Sequence, residues 1–306
     1  MTVTDSMLPL KYGTVITVGN FDGVHKGHQA LINEVRRQAS RLSLTPVVWT
    51  FGEHPSAFNK ENKKGLICTK DEKLRLIRSY GVGQIYVADF ALYRDMAPED
   101  FVKKVLCAGF NAKTVVCGYD FRFGAGAAGD TELLRALLLR SGADCVVMPP
   151  LKDNGIAVSS SEIRKRLSGG DTETVTRMLG RYYSFDLPVI HGLGNGKKFG
   201  FPTVNQIFPA ELAVPCHGVY AVRCTVGGKT FDGIADFGTR PTVNEEKKNV
   251  LCETNIFGFD GDLYGRTVRT ELIRMIRKEK RFDSFDELRA QVNDDILQVK
   301  NFFAGV

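Results

Sequence analysis

Two histidines three residues apart, His25 and His28, close the glycine-rich run Gly19-Asn20-Phe21-Asp22-Gly23-Val24-His25-Lys26-Gly27-His28. An apolar run, Thr14–Val18, leads into it, and Leu31, Ile32, Val35 and Ala39 follow at the spacing of one helix face. Glycines at such a turn let the backbone approach a ligand closely. The helix beyond it offers unpaired N–H groups and a positive dipole end to phosphate oxygens. Each histidine can donate a hydrogen bond to a phosphoryl group gaining charge in a transition state. The same pair also suits a tight turn with two structural histidines, or a metal pair. The strand before it and the helix after it favour the nucleotide reading.

Two further clusters belong to the same half. Ser159-Ser160-Ser161-Glu162-Ile163-Arg164 opens a helix after an apolar run. Its hydroxyls, free N–H groups and Arg164 suit a polyphosphate clamp, and capping of the helix by Ser159 with Glu162 suits the residues as well. Gly118-Tyr119-Asp120-Phe121-Arg122-Phe123-Gly124 follows another apolar run; its aromatics fit a core and Asp120 a turn.

A second group lies beyond residue 190. Gly192, Gly194, Gly196 and Gly200 surround Lys197 and Lys198, and Pro202-Thr203-Val204-Asn205 follows. The loop suits phosphate cradling or a plain barrel hairpin. It is not a P-loop, because no helix follows and the lysine precedes the last glycine. Thr203 and Asn205, two apart on a possible strand, share a face and have oxygens for Mg²⁺ or a phosphate. Glu253 sits in the apolar run Val250–Phe257, either at an edge facing water or as a buried functional carboxylate.

These residues need elements to hold them. Up to about residue 180, the β-rich runs Thr14–Val18, Val47–Phe51, Gln84–Val87, Thr114–Cys117 and Asp144–Met148 alternate with amphipathic stretches. Thr69 to Glu72 reads as a capping box, and Pro98 opens a helix that Gly109 ends. This alternation predicts a mainly parallel sheet covered on both faces, with ligands at the carboxyl ends of its strands. After Gly180 the runs Pro188–His191, Val219–Thr225, Thr230–Ala235, Val250–Phe257 and Thr267–Ile276 follow without helices between them, and Gly227–Gly228 is a hairpin turn. That half reads as an antiparallel barrel or sandwich. A closing helix starts at the capping box Ser284–Glu287. The border is placed near Tyr183, giving units 1–183 and 184–306 joined by the helical segment Ser160–Gly180.

The strings GNFDGVHKGH, GYDFRFG and SSSEIR, in that order, resemble the nucleotidylyltransferase superfamily, and most closely its prokaryotic FAD synthetase branch. The order GLGNGKKFGFPTVN, GVYAV, GTRPTVN and CETNIFGFDGDLYG resembles the riboflavin kinase domain. Together they resemble the bifunctional riboflavin kinase/FMN adenylyltransferase family over nearly the whole chain. The resemblance implies a Rossmann-like α/β domain followed by a six-stranded antiparallel barrel with a C-terminal helix. It implies ATP as substrate of both halves, with riboflavin, FMN and FAD as substrates and products. His25, His28, Arg164 and the serines would grip ATP phosphates, with Gly19, Phe21, Asp22, Gly27, Asp120 and Phe121 around the nucleotide. In the barrel, Glu253 would take the proton of the riboflavin 5′-hydroxyl, and Thr203 and Asn205 would hold Mg²⁺. The loop with Gly192, Gly194, Lys197, Gly200 and Pro202 would cover ATP. Four departures stand out: the loop Ala125–Gly129 lacks the family's frequent basic residue, Lys197 replaces an arginine, Asp236 an asparagine, and Asn255 a histidine.

Composition narrows the partners. The chain has 306 residues, 43% hydrophobic and 25% charged, and a net charge of +6. That charge suits small anionic substrates and does not by itself point to nucleic acid. The basic run Arg274–Arg281 reads as a solvated strand end. No run approaches the ~20 apolar residues of a membrane helix, and no signal peptide is visible. Seven cysteines without a CxxC pair fit reduced thiols in the cytoplasm. A homo-oligomer is compatible with the sequence but not signalled by it.

Overall fold

A computed structural model describes residues 2–4, 10–53, 65–191, 201–240 and 249–305. The chain divides into two compact units, residues 1–160 and 161–306.

The first unit is built on strands β1 (Thr2–Thr4), β2 (Thr14–Val18), β3 (Thr45–Phe51), β4 (Gln84–Ala88), β5 (Ala112–Gly118) and β6 (Asp144–Met148). They form one sheet in the order β1-β4-β3-β2-β5-β6, parallel throughout. Every residue of β2 is buried, as expected for a strand covered on both faces. Helix α1 (Lys26–Leu42) packs Ile32, Val35 and Ala39 inward, and α2 (Lys70–Ser79) does the same with Leu74, Leu76 and Ile77. On the opposite face lie the segment that begins as α3 (Pro98–Asp100) and continues with wider π-type turns over Phe101–Gly109, and α4 (Thr131–Arg140). The strand order reverses at β2, whose neighbours are β3 on one side and β5 on the other. The carboxyl ends of β2 and β5 are therefore the switch point at which ligands of such sheets bind.

The second unit begins with α5 (Ser160–Gly169) and α6 (Thr172–Leu179). Its sheet comprises β9 (Tyr183–Pro188), β10 (Val204–Phe208), β11 (Gly218–Val226), β12 (Lys229–Arg240), β13 (Asn249–Ile256) and β14 (Thr267–Lys278); the short hairpin β7 (Lys152–Asp153) and β8 (Ile156–Ala157) lies earlier in the chain. The order β10-β13-β12-β11-β14-β9 is antiparallel, and an isolated bridge between Ile190 and Asn205 brings β9 back towards β10, nearly closing a six-stranded barrel. Inside, Phe185, Phe208, Phe237 and Tyr220 form an edge-to-face aromatic cluster. The fully buried Gln206 gives its amide N–H groups to the carbonyls of Leu187 and Val268 at 2.8 and 2.9 Å. Its own oxygen accepts the Thr270 hydroxyl at 3.0 Å, so the seam carries a satisfied polar network.

Two expectations shift. The run Pro188–His191 is not itself a strand; the strand is Tyr183–Pro188, because Phe185 and Leu187 supply its inward face and Pro188 ends it. The basic stretch Arg274–Arg281 is not uniformly solvated. The Arg277 guanidinium meets the Asp295 carboxylate of α7 (Phe285–Ala304) through Nε at 2.9–3.0 Å and Nη2 at 2.8 Å, with Asp295 only 1% exposed. Breaking a buried pair strands a charge, so Asp295→Ala is expected to lower stability by about 3 kcal/mol. Denaturant unfolding of the intact chain checks this; an unchanged midpoint would mean that the pair is neutral.

Candidate functional site

The turn after β2 is held in an unusual backbone shape. Phe21 (φ 51°) and Val24 (φ 40°) adopt left-handed conformations that L-residues with side chains avoid, and Gly23 (φ 76°) sits between them. All three are buried, so the surroundings enforce the strain. A Cβ on Gly23 would lie 2.8 Å from the Ile67 side chain, which explains the glycine there. The buried Asp22 carboxylate accepts the Ile67 N–H at 2.9 and 3.2 Å. The carbonyl of Asn20 receives the Thr50 hydroxyl at 3.2 Å and the Lys73 ammonium at 3.3 Å.

This scaffold presents the histidines. His25 is the N-cap of α1, its Nδ1 accepting the His28 N–H at 3.3 Å, so the neutral ring carries its proton on Nε2. The two rings stack with centroids 3.6 Å apart, and Phe21 tilts against His28 at 5.1 Å. A Cβ at Gly27 would come within 3.1 Å of the His25 ring, so a larger residue would crowd the stack. The Nδ1 atom of His28 is buried without a hydrogen-bond partner. Burial first, and then the proximity of His25 and Lys73, lower the His28 pKa well below the ordinary histidine value. The ring is therefore neutral at pH 7, a hydrogen-bonding group rather than a fixed cation.

Other elements converge on this end of the sheet. The Ser160 hydroxyl donates to the Asp22 carbonyl at 3.0 Å, joining the serine run to the histidine turn. Asp120 and Phe121 follow β5, the direct neighbour of β2, where the Phe121 N–H closes a turn onto the Gly118 carbonyl at 3.1 Å. Asp120 is exposed, and Phe121 stacks on Phe123 at 5.6 Å. Ser159 and Gly19 lie in the same unit, Gly19 donating its N–H to the Trp49 carbonyl at 3.1 Å. Ser161 and Arg164 belong to the second unit, on α5. Sequence reasoning passed over Lys73. It is a buried lysine on α2 whose Nζ donates to the Phe51 carbonyl at 2.7 Å, and burial lowers its pKa. Its only sequence signal is a lysine on the apolar face of the helix, beside Leu74, Leu76 and Ile77.

In the barrel, β13 lies between β10 and β12, so Glu253 is on an interior strand rather than at an edge. Its direct partners are Asn205 on one side and Asp236 on the other. Side chains directly opposed across antiparallel strands share a face, so the three form a row. Asn205 is 6% exposed and its Oδ1 is buried without a hydrogen-bond partner. Thr203 directly precedes β10, and Asn255 ties this segment down by donating to the Pro202 carbonyl at 2.6 Å. Burial, with Glu253 next, pushes the Asp236 carboxyl up to about 6. Gly192, Gly194, Lys197 and Gly200 lie outside the described residues.

Known proteins match both halves of the chain. A family model described as FAD synthetase matches residues 8–162, and one described as riboflavin kinase matches 179–303. The chain is 33% identical over 293 residues to a bifunctional riboflavin kinase/FMN adenylyltransferase of Buchnera aphidicola, covering 95% of this chain and 93% of that protein. Its similarity to the Bacillus subtilis protein of the same description is 32% over 297 residues, 96% and 93% of the two chains. The Escherichia coli counterpart is 33% identical over 294 residues, with 95% and 93% covered. A crystal structure described as a macrolide-efflux protein from Streptococcus pneumoniae superposes with a TM-score of 0.87 at 28% identity, covering 98% of each chain. Among the described residues of this chain, no helix is long and apolar enough to cross a membrane.

Proposed function

The chain belongs to the family of bifunctional riboflavin kinase/FMN adenylyltransferases, and from that premise we infer that it converts riboflavin to FMN in the barrel and FMN to FAD in the sheet domain, using ATP in both steps. The observation that carries this is the presence in one chain of two separate constellations suited to phosphoryl chemistry. One is the stacked histidine pair at a helix opening beside the switch point; the other is the Asn205–Glu253–Asp236 row on the barrel.

In the sheet domain, the FMN phosphate attacks the α-phosphorus of ATP and pyrophosphate leaves. No side chain need act as nucleophile. His25 and His28 contact the phosphates, and the N–H groups at the start of α1 add to that hold. Gly19, Phe21, Gly27, Asp120, Phe121 and the serines Ser159–Ser161 line the nucleotide, with Arg164 gripping the phosphates. Asp22 acts by fixing the turn through Ile67. We assign residues 1–183 to this activity and 184–306 to the kinase. Helix α5 packs within the second unit through the bond from the Cys216 N–H to the Leu167 carbonyl.

In the barrel, Glu253 accepts the proton of the 5′-hydroxyl as that oxygen attacks the γ-phosphorus of ATP. The orphaned Asn205 oxygen is a hard donor fitted to Mg²⁺, and Thr203 two residues earlier has a second. When bound, such a cation neutralises phosphate charge. We assign ATP binding to Gly192, Gly194, Lys197, Gly200 and Pro202 on the strength of the family match. The partners are small molecules, without nucleic acid or a membrane, and the reactions belong in the cytoplasm, where seven free thiols fit.

The test is direct. Riboflavin incubated with the protein, ATP and MgCl₂ is expected to give FMN and then FAD on chromatography. Absence of any flavin product would favour a flavin-binding regulator on the same scaffold.

A further inference from the structure

The row across β10, β13 and β12 has a direction. Asn205 lies on one side of Glu253 and Asp236 on the other, both in direct register with it. Neighbouring strands are about 4.8 Å apart, so each partner is one strand away from the carboxylate. Ile234, two residues before Asp236 on the same face, packs with Val299 of α7, while Asp236 keeps solvent-accessible surface although its packing partly desolvates the carboxyl. Burial and then the like charges of Glu253, Glu279 and Asp295 raise its carboxyl pKa, against the opposing charge of Arg277. Arg277, the one opposing cation among these, is engaged by Asp295.

This inference rests on the reading of the barrel as the kinase. In that reading, Asn205 marks the phosphate-donor side and Glu253 the attacking hydroxyl. The carbon bearing an attacking oxygen lies away from the phosphorus it attacks. The acceptor's chain therefore leaves Glu253 on the side opposite Asn205, towards Asp236. In riboflavin that chain is a polyol, with secondary hydroxyls on the three carbons that precede the reacting one. We propose that Asp236 accepts hydrogen bonds from the secondary hydroxyls of the ribityl chain, and so selects a polyhydroxy acceptor over one with a terminal hydroxyl alone. A carboxylate suits this task because it is acceptor-only and can take hydroxyls on both oxygens. At neutral pH a carboxyl titrating at about 6 is ionised.

The experiment compares riboflavin with a flavin whose N10 substituent is 5-hydroxypentyl, which keeps the terminal hydroxyl and lacks the others. Losing a hydrogen bond to a charged group is expected to reduce kcat/KM of Asp236→Ala for riboflavin by about 10- to 100-fold. The hydroxypentyl flavin is expected to react equally well with parent and variant. Asp236→Asn keeps one acceptor oxygen and is expected to fall between. FAD formation from added FMN reports that the chain is folded. Equal losses on both acceptors, or no loss on riboflavin, overturn the proposal. Failure of the parent protein to phosphorylate either flavin would instead remove the kinase reading beneath it.

Discussion

His28→Ala is expected to slow conversion of FMN to FAD by about 10²- to 10³-fold while riboflavin is still phosphorylated to FMN. The ring sits in the first turn of α1, stacked on His25 and tilted against Phe21, and its pKa is depressed chiefly by burial. A neutral ring held in that way needs no reorganisation to meet charge that develops on a phosphate oxygen. Loss of one preorganised donor typically costs about 10²- to 10³-fold in rate. The substitution also removes a half-buried ring, so the unfolding midpoint must be measured alongside. FMN formation by the same purified chain is the internal control, since that activity is assigned to other residues. FAD and pyrophosphate released at the parent rate would remove His28 from the site.

Glu253→Gln is expected to have the converse effect: loss of ATP-dependent FMN formation, with FAD still made from added FMN. Glutamine keeps the size and a hydrogen-bonding oxygen but does not take a proton at neutral pH. General-base assistance is worth about 10²- to 10⁴-fold, so the fall should lie in that range. Relief of the charge opposite Asp236 should leave the fold intact or slightly stabilised, because like charges directly across a strand pair repel. A drop in activity with an unchanged unfolding midpoint therefore reports chemistry. Undiminished FMN production would exclude the base role.

Much of this arrangement is legible in the chain. The alternation of β-rich runs with helical spacings predicts the parallel sheet, because strands buried on both faces are rich in β-branched and apolar residues, as Thr14–Val18 is. The capping boxes at Thr69 and Ser284 are observed with their hydroxyls accepting the Glu72 and Glu287 N–H groups. Less visible were β1, too short to show a period, and β10, where Val204–Phe208 mixes a buried amide with an exposed Ile207. Gln206 reads as polar and hence exposed in sequence. It is buried because the barrel seam supplies partners for both polar atoms of its amide.

By itself, the order of residues determined the two kinds of element, their sequence, and the local chemistry of the histidine turn, since a cap, a glycine and a helix start are neighbours in the chain. The tertiary structure alone decided which distant residues share a site. Glu253 was open between an edge and an interior position until β10 and β12 flanked its strand, because register is set by pairing with residues 48 and 17 positions away in the chain. The same pairing set Asp236 beside the proposed base, a juxtaposition that no local pattern encodes. Burial of Lys73 and the lowered pKa of His28 are likewise consequences of packing, since desolvation depends on what surrounds a side chain and not on its neighbours in sequence.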